Sequence, residues 1–195
     1  MAKCWSCGAE RRDAFFCGSC EKIQPIAATT THFDLLDIPP RFAVPSEVLD
    51  RAFRTKSKRV HPDRYGAHSS IERRLALDHT ARINEAYRAL KTPASRAEYL
   101  LTLEGVDIGR EDARTQNPGL LMALLETQEA IEVMHDRQAL LDEKSRIEAR
   151  RDSLLAGVGR YFDEGVGTRQ DVVDALTELR YLSRILETIS RRLED

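Results

Sequence analysis

Four cysteines near the amino terminus restrict the local fold more tightly than any other feature of this sequence. The segment "CWSCGAERRDAFFCGSC" holds Cys4, Cys7, Cys17 and Cys20, and no cysteine follows it. Each C-x2-C pair can direct two sulfurs at one ion, and the intervening loop can bring the second pair round to complete a tetrahedron. A segment this short buries too little apolar surface to fold stably, so it needs a bound metal or another cross-link. The sequence therefore predicts a Cys4 metal-binding module over residues 1–28.

The predicted metal is Zn2+, because four thiolates at about 2.3 Å are typical of structural zinc sites. Such a site leaves no coordination position open, and we expect Trp5, Phe15 and Phe16 to shield its sulfurs. Iron is the alternative metal, since tetrahedral Cys4 sites also hold it in electron-transfer proteins. Two disulfides or four free thiols are further alternatives, and a reducing cytosol disfavours the disulfides.

Composition narrows the class of protein. The chain has 195 residues, 42% of them hydrophobic, and a formal net charge of −2, which gives no overall attraction to nucleic acid or membranes. The longest apolar run, "LLMALL" at 120–125, is far shorter than the roughly 20 residues of a membrane span. The cysteine motif begins at Cys4, without room for a signal peptide ahead of it. We expect a cytoplasmic protein, or a mitochondrial matrix protein if this is the mature form of an organellar homologue.

Two amphipathic helices are predicted on either side of the tripeptide His61-Pro62-Asp63. The first ends before Pro62, because proline lacks the amide donor and disfavours helical geometry in the preceding residue. The second is predicted over about residues 71–90, and an exposed loop at the tip of such a hairpin lacks the converging partners that a catalytic base needs. One face of the first helix is basic and carries Arg51, Arg54, Lys56, Lys58 and Arg59.

Residues 32–104 resemble a J domain, the hallmark of DnaJ-type co-chaperones. "FDLLDIP" is similar to its first helix, the basic helix to its second, "HPD" to its signature loop, and "INEAYRAL" with P-x-x-R-x-x-Y to its third helix and sequel. The resemblance implies docking on an ATP-bound chaperone of the DnaK class and acceleration of its ATP hydrolysis. A basic face suits a complementary acidic surface, and proline limits the entropy lost on docking. The residues implied in chaperone binding are His61, Pro62, Asp63, Arg54, Lys58 and Arg59.

The carboxy-terminal part of the chain predicts an antiparallel three-helix bundle over residues 117–195, after a linker at 105–116. Apolar residues recur every three or four positions, as in the stripe from Val172 to Leu193 on the last helix. The stretch "LLMALLETQEAI" carries more apolar arc than one face of such a bundle can bury. Some of it should therefore lie exposed beside Glu126 and Glu129, as a strip suited to a partner protein.

The whole chain resembles the HscB-type J-domain co-chaperones of iron-sulfur cluster assembly, in the variant with an amino-terminal tetracysteine zinc ribbon. The resemblance implies an all-α fold in which the bundle holds the cluster scaffold protein, IscU, and delivers it to the chaperone HscA. Leu120 and Tyr181 stand where relatives commonly have phenylalanine, and both keep apolar bulk. The residues implied in scaffold binding are Leu121, Met122, Leu125, Glu126, Glu129 and Tyr181.

The predicted function is accordingly a non-enzymatic adaptor that joins a chaperone ATPase to a scaffold, without a nucleic-acid or membrane partner. One alternative is a J-domain co-chaperone for another client, with the cysteine module binding unfolded protein or nucleic acid. A second is an electron-transfer protein with iron at the Cys4 site, and passage of iron or a cluster through the four thiols stays open. The chain could also form a homodimer through the ribbon or the "LLMALL" strip.

Overall fold

The structure is a computed structural model that describes residues 3–10, 15–106 and 118–194. Within these ranges the chain forms seven α-helices and no β-strand, which confirms the predicted all-α class. Extended pairing there consists of two isolated β-bridges in the cysteine module, Lys3 with Glu10 and Phe16 with Ile23. Most of the predicted linker, from residue 107 onward, lies outside the described residues. No described helix is long and apolar enough to cross a membrane.

The chain divides into two compact units. The first contains the cysteine module and three helices, α1 (His32–Leu36), α2 (Ser46–Val60) and α3 (Ser70–Lys91). A 3-10 turn, Pro62–Tyr65, joins α2 to α3. The second unit contains residues 41–43 and the helices from Pro93 onward.

Local sequence signals explain where the helices of the first unit begin and end. Reciprocal capping boxes start two of them, Thr31 with Asp34 at α1 and Ser69 with Glu72 at α3. Helix α2 ends at Val60, as expected two residues before a proline. The two helices of the hairpin pack together where Phe53 stacks on Tyr87, whose hydroxyl donates to the Asp50 carboxylate at 2.8 Å.

The cysteine module packs directly against α3. The buried His79 donates from Nε2 to the carbonyl oxygen of Gln24 at 2.7 Å, and its ring meets Phe15 edge-on with centroids 5.0 Å apart. Arg82 donates to the carbonyl oxygens of Ile26 and Ala27 at 3.2 and 3.1 Å. The module therefore shares a core with α3.

The second unit contains the predicted three-helix bundle, formed by α5 (Pro118–Val133), α6 (Arg137–Gly159) and α7 (Arg169–Glu194). A further helix, α4 (Pro93–Leu103), packs on α6 and α7. Arg150 on α6 forms a two-point ion pair with the buried Glu178 on α7, at 2.6 and 2.8 Å. The buried core of the bundle consists of Leu124, Ile131, Leu140, Ile147, Leu182, Ile185 and Ile189.

A short π-helical turn, Arg160–Glu164, follows α6 and binds the segment 41–43, which belongs to the same unit. Its Asp163 carboxylate accepts hydrogen bonds from the backbone amides of Phe42 and Ala43, both at 2.9 Å. Buried Arg96 of α4 donates to the carbonyl oxygen of Phe42 at 2.7 Å. The turn between α6 and α7 therefore makes a structural contact with residues 42 and 43.

Candidate functional site

The tripeptide His61-Pro62-Asp63 lies at the surface, in the connection between α2 and α3. The backbone amide of Asp63 donates to His61 Nδ1 at 3.4 Å, and the Asp63 carboxylate lies 3.5 Å from the same atom. The side chains of His61 and Asp63 are 55% and 89% exposed. Buried Tyr65 anchors the end of the turn. The tripeptide is therefore a preorganised surface feature whose two ionisable side chains are accessible to a partner.

Three cations predicted to bind a partner lie on the exposed surface of α2. Arg54 and Lys58 stand four residues apart and so share a helix face, while Arg59 lies beside the turn. All three side chains belong to exposed residues. The structure thus brings a basic face and the tripeptide together on adjoining elements, as the sequence predicted.

Lys56 departs from the predicted basic face. Its ammonium group forms an ion pair with Asp37 and lies 4.6 Å from the centre of the Phe15 ring, and the residue is buried. The sequence grouped Lys56 with its basic neighbours because its partners are distant along the chain. Lys56 serves the packing of the first unit and is unavailable to a partner.

The four cysteine sulfurs form one cluster, with all ligand atoms within 4.8 Å of one another. The Cys4 and Cys20 sulfurs are 3.7 Å apart, as are those of Cys7 and Cys17. A tetrahedron with metal-sulfur bonds of about 2.3 Å has edges of about 3.8 Å. These distances are far longer than a disulfide bond of about 2.05 Å. The cysteines are therefore free and positioned to hold one metal ion.

Backbone amides favour the thiolate form of Cys4. The amides of Ser6 and Cys7 donate to the Cys4 sulfur at 3.3 and 3.4 Å, and the Gln24 side chain donates to it at 3.3 Å. Burial opposes ionisation, but the amides of Cys7 and Ser6 and the neighbouring thiols outweigh it and lower the pKa of Cys4 to about 6. Deprotonated thiols are the form that binds metal. The donor set thus fits a tetrahedral cation.

The three aromatic residues of the cysteine module differ in burial. Phe15 and the sulfurs of Cys4 and Cys17 belong to buried residues, and Trp5 donates from its indole nitrogen to the Ile23 carbonyl oxygen at 2.7 Å. Phe16 is half-buried. Each ring has a described contact outside the cysteine set, and the shielding of the sulfurs by Trp5, Phe15 and Phe16 stays a prediction.

The leucine-rich start of α5 divides between core and surface. Leu124 is buried in the bundle core, whereas Met122 and Leu125 are 61% and 48% exposed. Glu126 and Glu129 are exposed on the same helix, and the side chain of Leu121 lies outside the described residues. Part of this stretch is therefore exposed, as the sequence predicted.

Tyr181 lies on α7 and is partly buried. It packs against the bundle core, as does Leu120 on α5, and its ring lies 5.8 Å from the Arg184 guanidinium. Tyr181 is thus partly buried against the bundle core and partly accessible to solvent.

Comparison with known protein families assigns both halves of the chain. The DnaJ domain profile matches residues 31–99, and the profile described as the HSCB C-terminal oligomerisation domain matches residues 116–190. The first match contains the tripeptide and its basic helix. The second contains the exposed strip of α5.

Curated relatives and solved structures agree with these matches. The "Co-chaperone protein HscB homolog" of Burkholderia multivorans is 33% identical over 172 residues, covering 87% of this chain and 97% of the relative. That of Paraburkholderia xenovorans is 36% identical over 170 residues, covering 84% and 94%.

Among solved structures, human co-chaperone protein HscB superposes with a TM-score of 0.86 at 28% identity, covering 97% of this chain and 98% of that one. Chaperone HscB from Vibrio cholerae has a TM-score of 0.71 at 28% identity, covering 83% and 96%. These similarities extend over both compact units, and the curated relatives are named co-chaperones. The chain therefore belongs to the HscB family of J-domain co-chaperones.

Proposed function

We propose that this co-chaperone binds an iron-sulfur cluster scaffold protein of the IscU type and delivers it to a DnaK/HscA-type chaperone whose ATPase it stimulates. The observation that carries this proposal is the exposed His61-Pro62-Asp63 turn, held beside an exposed basic helix face in an HscB-family chain. The chain supplies no chemistry of its own in this account. ATP is hydrolysed by the partner.

The first surface of the adaptor is the turn with Arg54, Lys58 and Arg59. Exposed cations steer a complementary acidic surface and orient it on encounter, with an effect that weakens as salt rises. Pro62 and the 3-10 turn hold His61 and Asp63 in a fixed relation, so little conformational entropy is lost on docking. We assign this surface to the ATP-bound chaperone.

The second surface is the exposed strip of α5, where Met122 and Leu125 are flanked by the exposed Glu126 and Glu129. We assign Leu121 of the same helix to this surface as well. Exposed apolar side chains rimmed by carboxylates suit a partner that offers apolar pockets and basic groups. Tyr181 on α7 completes the set of scaffold-binding residues. Carrying both surfaces on one chain raises the effective concentration of scaffold near chaperone.

The metal proposed for the cysteine cluster is Zn2+, held by Cys4, Cys7, Cys17 and Cys20. A closed Cys4 site supplies folding free energy and does not activate water, because it has no open position. We propose a structural role for it in the first unit, where the module packs on α3. A colourless purified protein with one zinc per chain would distinguish this role from iron-based electron transfer.

Truncating the exposed apolar side chains of α5 should weaken scaffold binding without unfolding the bundle. We expect M122A and L125A each to lower the affinity for the scaffold about tenfold, a typical effect for an interface anchor. Their melting temperatures should change by no more than about 2 °C, since solvent-exposed side chains add little to stability. Isothermal titration calorimetry and thermal unfolding measure the two effects.

The matched control is L141A, which truncates a 39% exposed leucine on α6 outside the proposed surface. It should bind scaffold as tightly as wild type. Equal weakening of scaffold binding by all three variants would contradict a specific role for Met122 and Leu125. A large fall in melting temperature for M122A and L125A would show instead that these side chains stabilise the bundle core.

A further inference from the structure

The cysteine module contacts the basic helix through an aromatic ring. The guanidinium carbon of Arg59 lies 4.6 Å from the centre of the Phe16 ring, within the range of a cation-π interaction. Phe16 directly precedes the metal-ligating position Cys17, and its backbone pairs with Ile23 in a β-bridge. The Phe16 ring is therefore attached to a structured part of the module. It contacts the guanidinium of Arg59, which belongs to the proposed partner-binding face.

Arg59 stands next to the turn, and the Phe16 ring is its main described contact. It forms no salt bridge with any carboxylate among residues 3–10, 15–106 and 118–194. Its side chain is long and exposed, and without a support it would sample many rotamers. A partner that binds such a side chain must immobilise it, and a side chain already held against a ring loses less entropy.

A shallow recess lies where the module meets the turn. Its volume is about 420 Å³, and it is lined by Phe16 and Glu21 from the module and by Arg59, Arg64 and Tyr65 from the α2 end and the 3-10 turn. Both guanidinium groups belong to exposed residues, and the buried Glu72, which also lines the recess, is engaged by Ser69 and His68. The recess is thus accessible, carries two guanidinium groups on the side of the turn and the exposed Glu21 on the side of the module, and is continuous with the turn that follows His61.

We infer that the cysteine module forms part of the chaperone-docking surface, with Phe16 as a positioning residue that holds Arg59 for contact with an acidic group of the DnaK-class chaperone. The inference rests on the proposed function, because it assigns the recess to the same partner as the turn. The charge of Arg59 and Arg64 and the continuity with the turn select this occupant. The ring itself need not touch the chaperone.

The test is an ATPase titration of the chaperone with full-length, metal-loaded protein at low salt. F16L keeps apolar bulk but removes the ring, and the half-saturating concentration should rise about two- to fivefold, the size expected for one exposed cation-π contact. Maximal stimulation should stay unchanged. The conservative variant F16Y should keep the wild-type half-saturating concentration, because tyrosine also offers a ring face to the Arg59 guanidinium.

A double-variant comparison separates positioning from direct contact. R59Q should raise the half-saturating concentration at least as much as F16L, and F16L added to R59Q should cause no further rise. Metal content and melting temperature are measured for each variant, and F16M replaces F16L if the latter binds less than one metal ion per chain. Wild-type behaviour of either F16L or R59Q, or additive effects in the double variant, would overturn the inference.

The H61Q variant keeps this test distinct from that of the proposed function. If H61Q stimulates the chaperone like wild type, chaperone docking through the turn is refuted and the positioning role fails with it. If H61Q is inactive while F16L behaves as wild type, the proposed function stands and the role of Phe16 alone is overturned.

Discussion

Replacing His61 with glutamine (H61Q) is expected to reduce chaperone ATPase stimulation to the rate of the chaperone alone. His61 is exposed, and among the described residues the polar contacts of its side chain are to the amide and carboxylate of Asp63 in its own turn. Its loss should therefore remove a docking group without disturbing a core, and the melting temperature should stay within about 2 °C of wild type. Steady-state ATP hydrolysis over a range of co-chaperone concentrations measures the effect.

The matched control for H61Q is H135Q, which makes the same substitution at an exposed position outside the helices of the second unit. It should stimulate the chaperone like wild type. H61Q should also keep full affinity for the scaffold, because the α5 strip belongs to the other unit. Normal stimulation by H61Q would contradict the docking role of the turn.

Removing one ligand of the cysteine cluster should cost the protein its metal and destabilise the first unit. Cys17 is buried, and C17S leaves three thiolates where a structural zinc site has four ligands. Since metal binding supplies folding free energy to such a module, its contacts to α3 should be lost with it. Those contacts include the Gln24 carbonyl bonded to buried His79. Unpairing such a buried group costs about 1–3 kcal/mol.

At about 4–8 °C per kcal/mol for a unit of this size, a loss in that range predicts a fall of about 4–24 °C in the melting temperature of the first unit. Elemental analysis and thermal unfolding measure the two consequences, and hydrogen exchange in α3 locates the second. The control is S6A, since Ser6 donates to the Cys4 sulfur through its backbone amide and lends no side chain to the site. A C17S protein with one metal ion per chain and wild-type stability would contradict the structural role of the metal.

Features that depend on local spacing could be predicted from the sequence. The two C-x2-C pairs indicated one cluster of four sulfurs, and Pro62 indicated the end of α2, because backbone chemistry sets both locally. The helix-period stripes indicated the bundle helices, and the excess apolar arc at the start of α5 indicated the exposure later found at Met122 and Leu125. In each case the sequence pattern and the structure that it predicts lie close together along the chain.

Features that depend on distant partners could not be predicted. Lys56 has the sequence context of a surface cation, but tertiary folding brings it to Asp37 and to Phe15 of the cysteine module. Likewise, nothing local marks His79 as the partner of Gln24, 55 residues earlier. Asp163 binds backbone amides 120 and 121 residues away. Such contacts arise from packing between elements, which helical periodicity does not encode.

Single-turnover ATP hydrolysis by the DnaK-class chaperone tests the adaptor account most directly, with this protein and the scaffold added separately and together. The account predicts that the two together accelerate hydrolysis more than the sum of their separate effects, and that H61Q removes this synergy. A rate with both that equals the sum of the separate effects, or synergy that survives in H61Q, would contradict the proposal that one chain joins scaffold to chaperone.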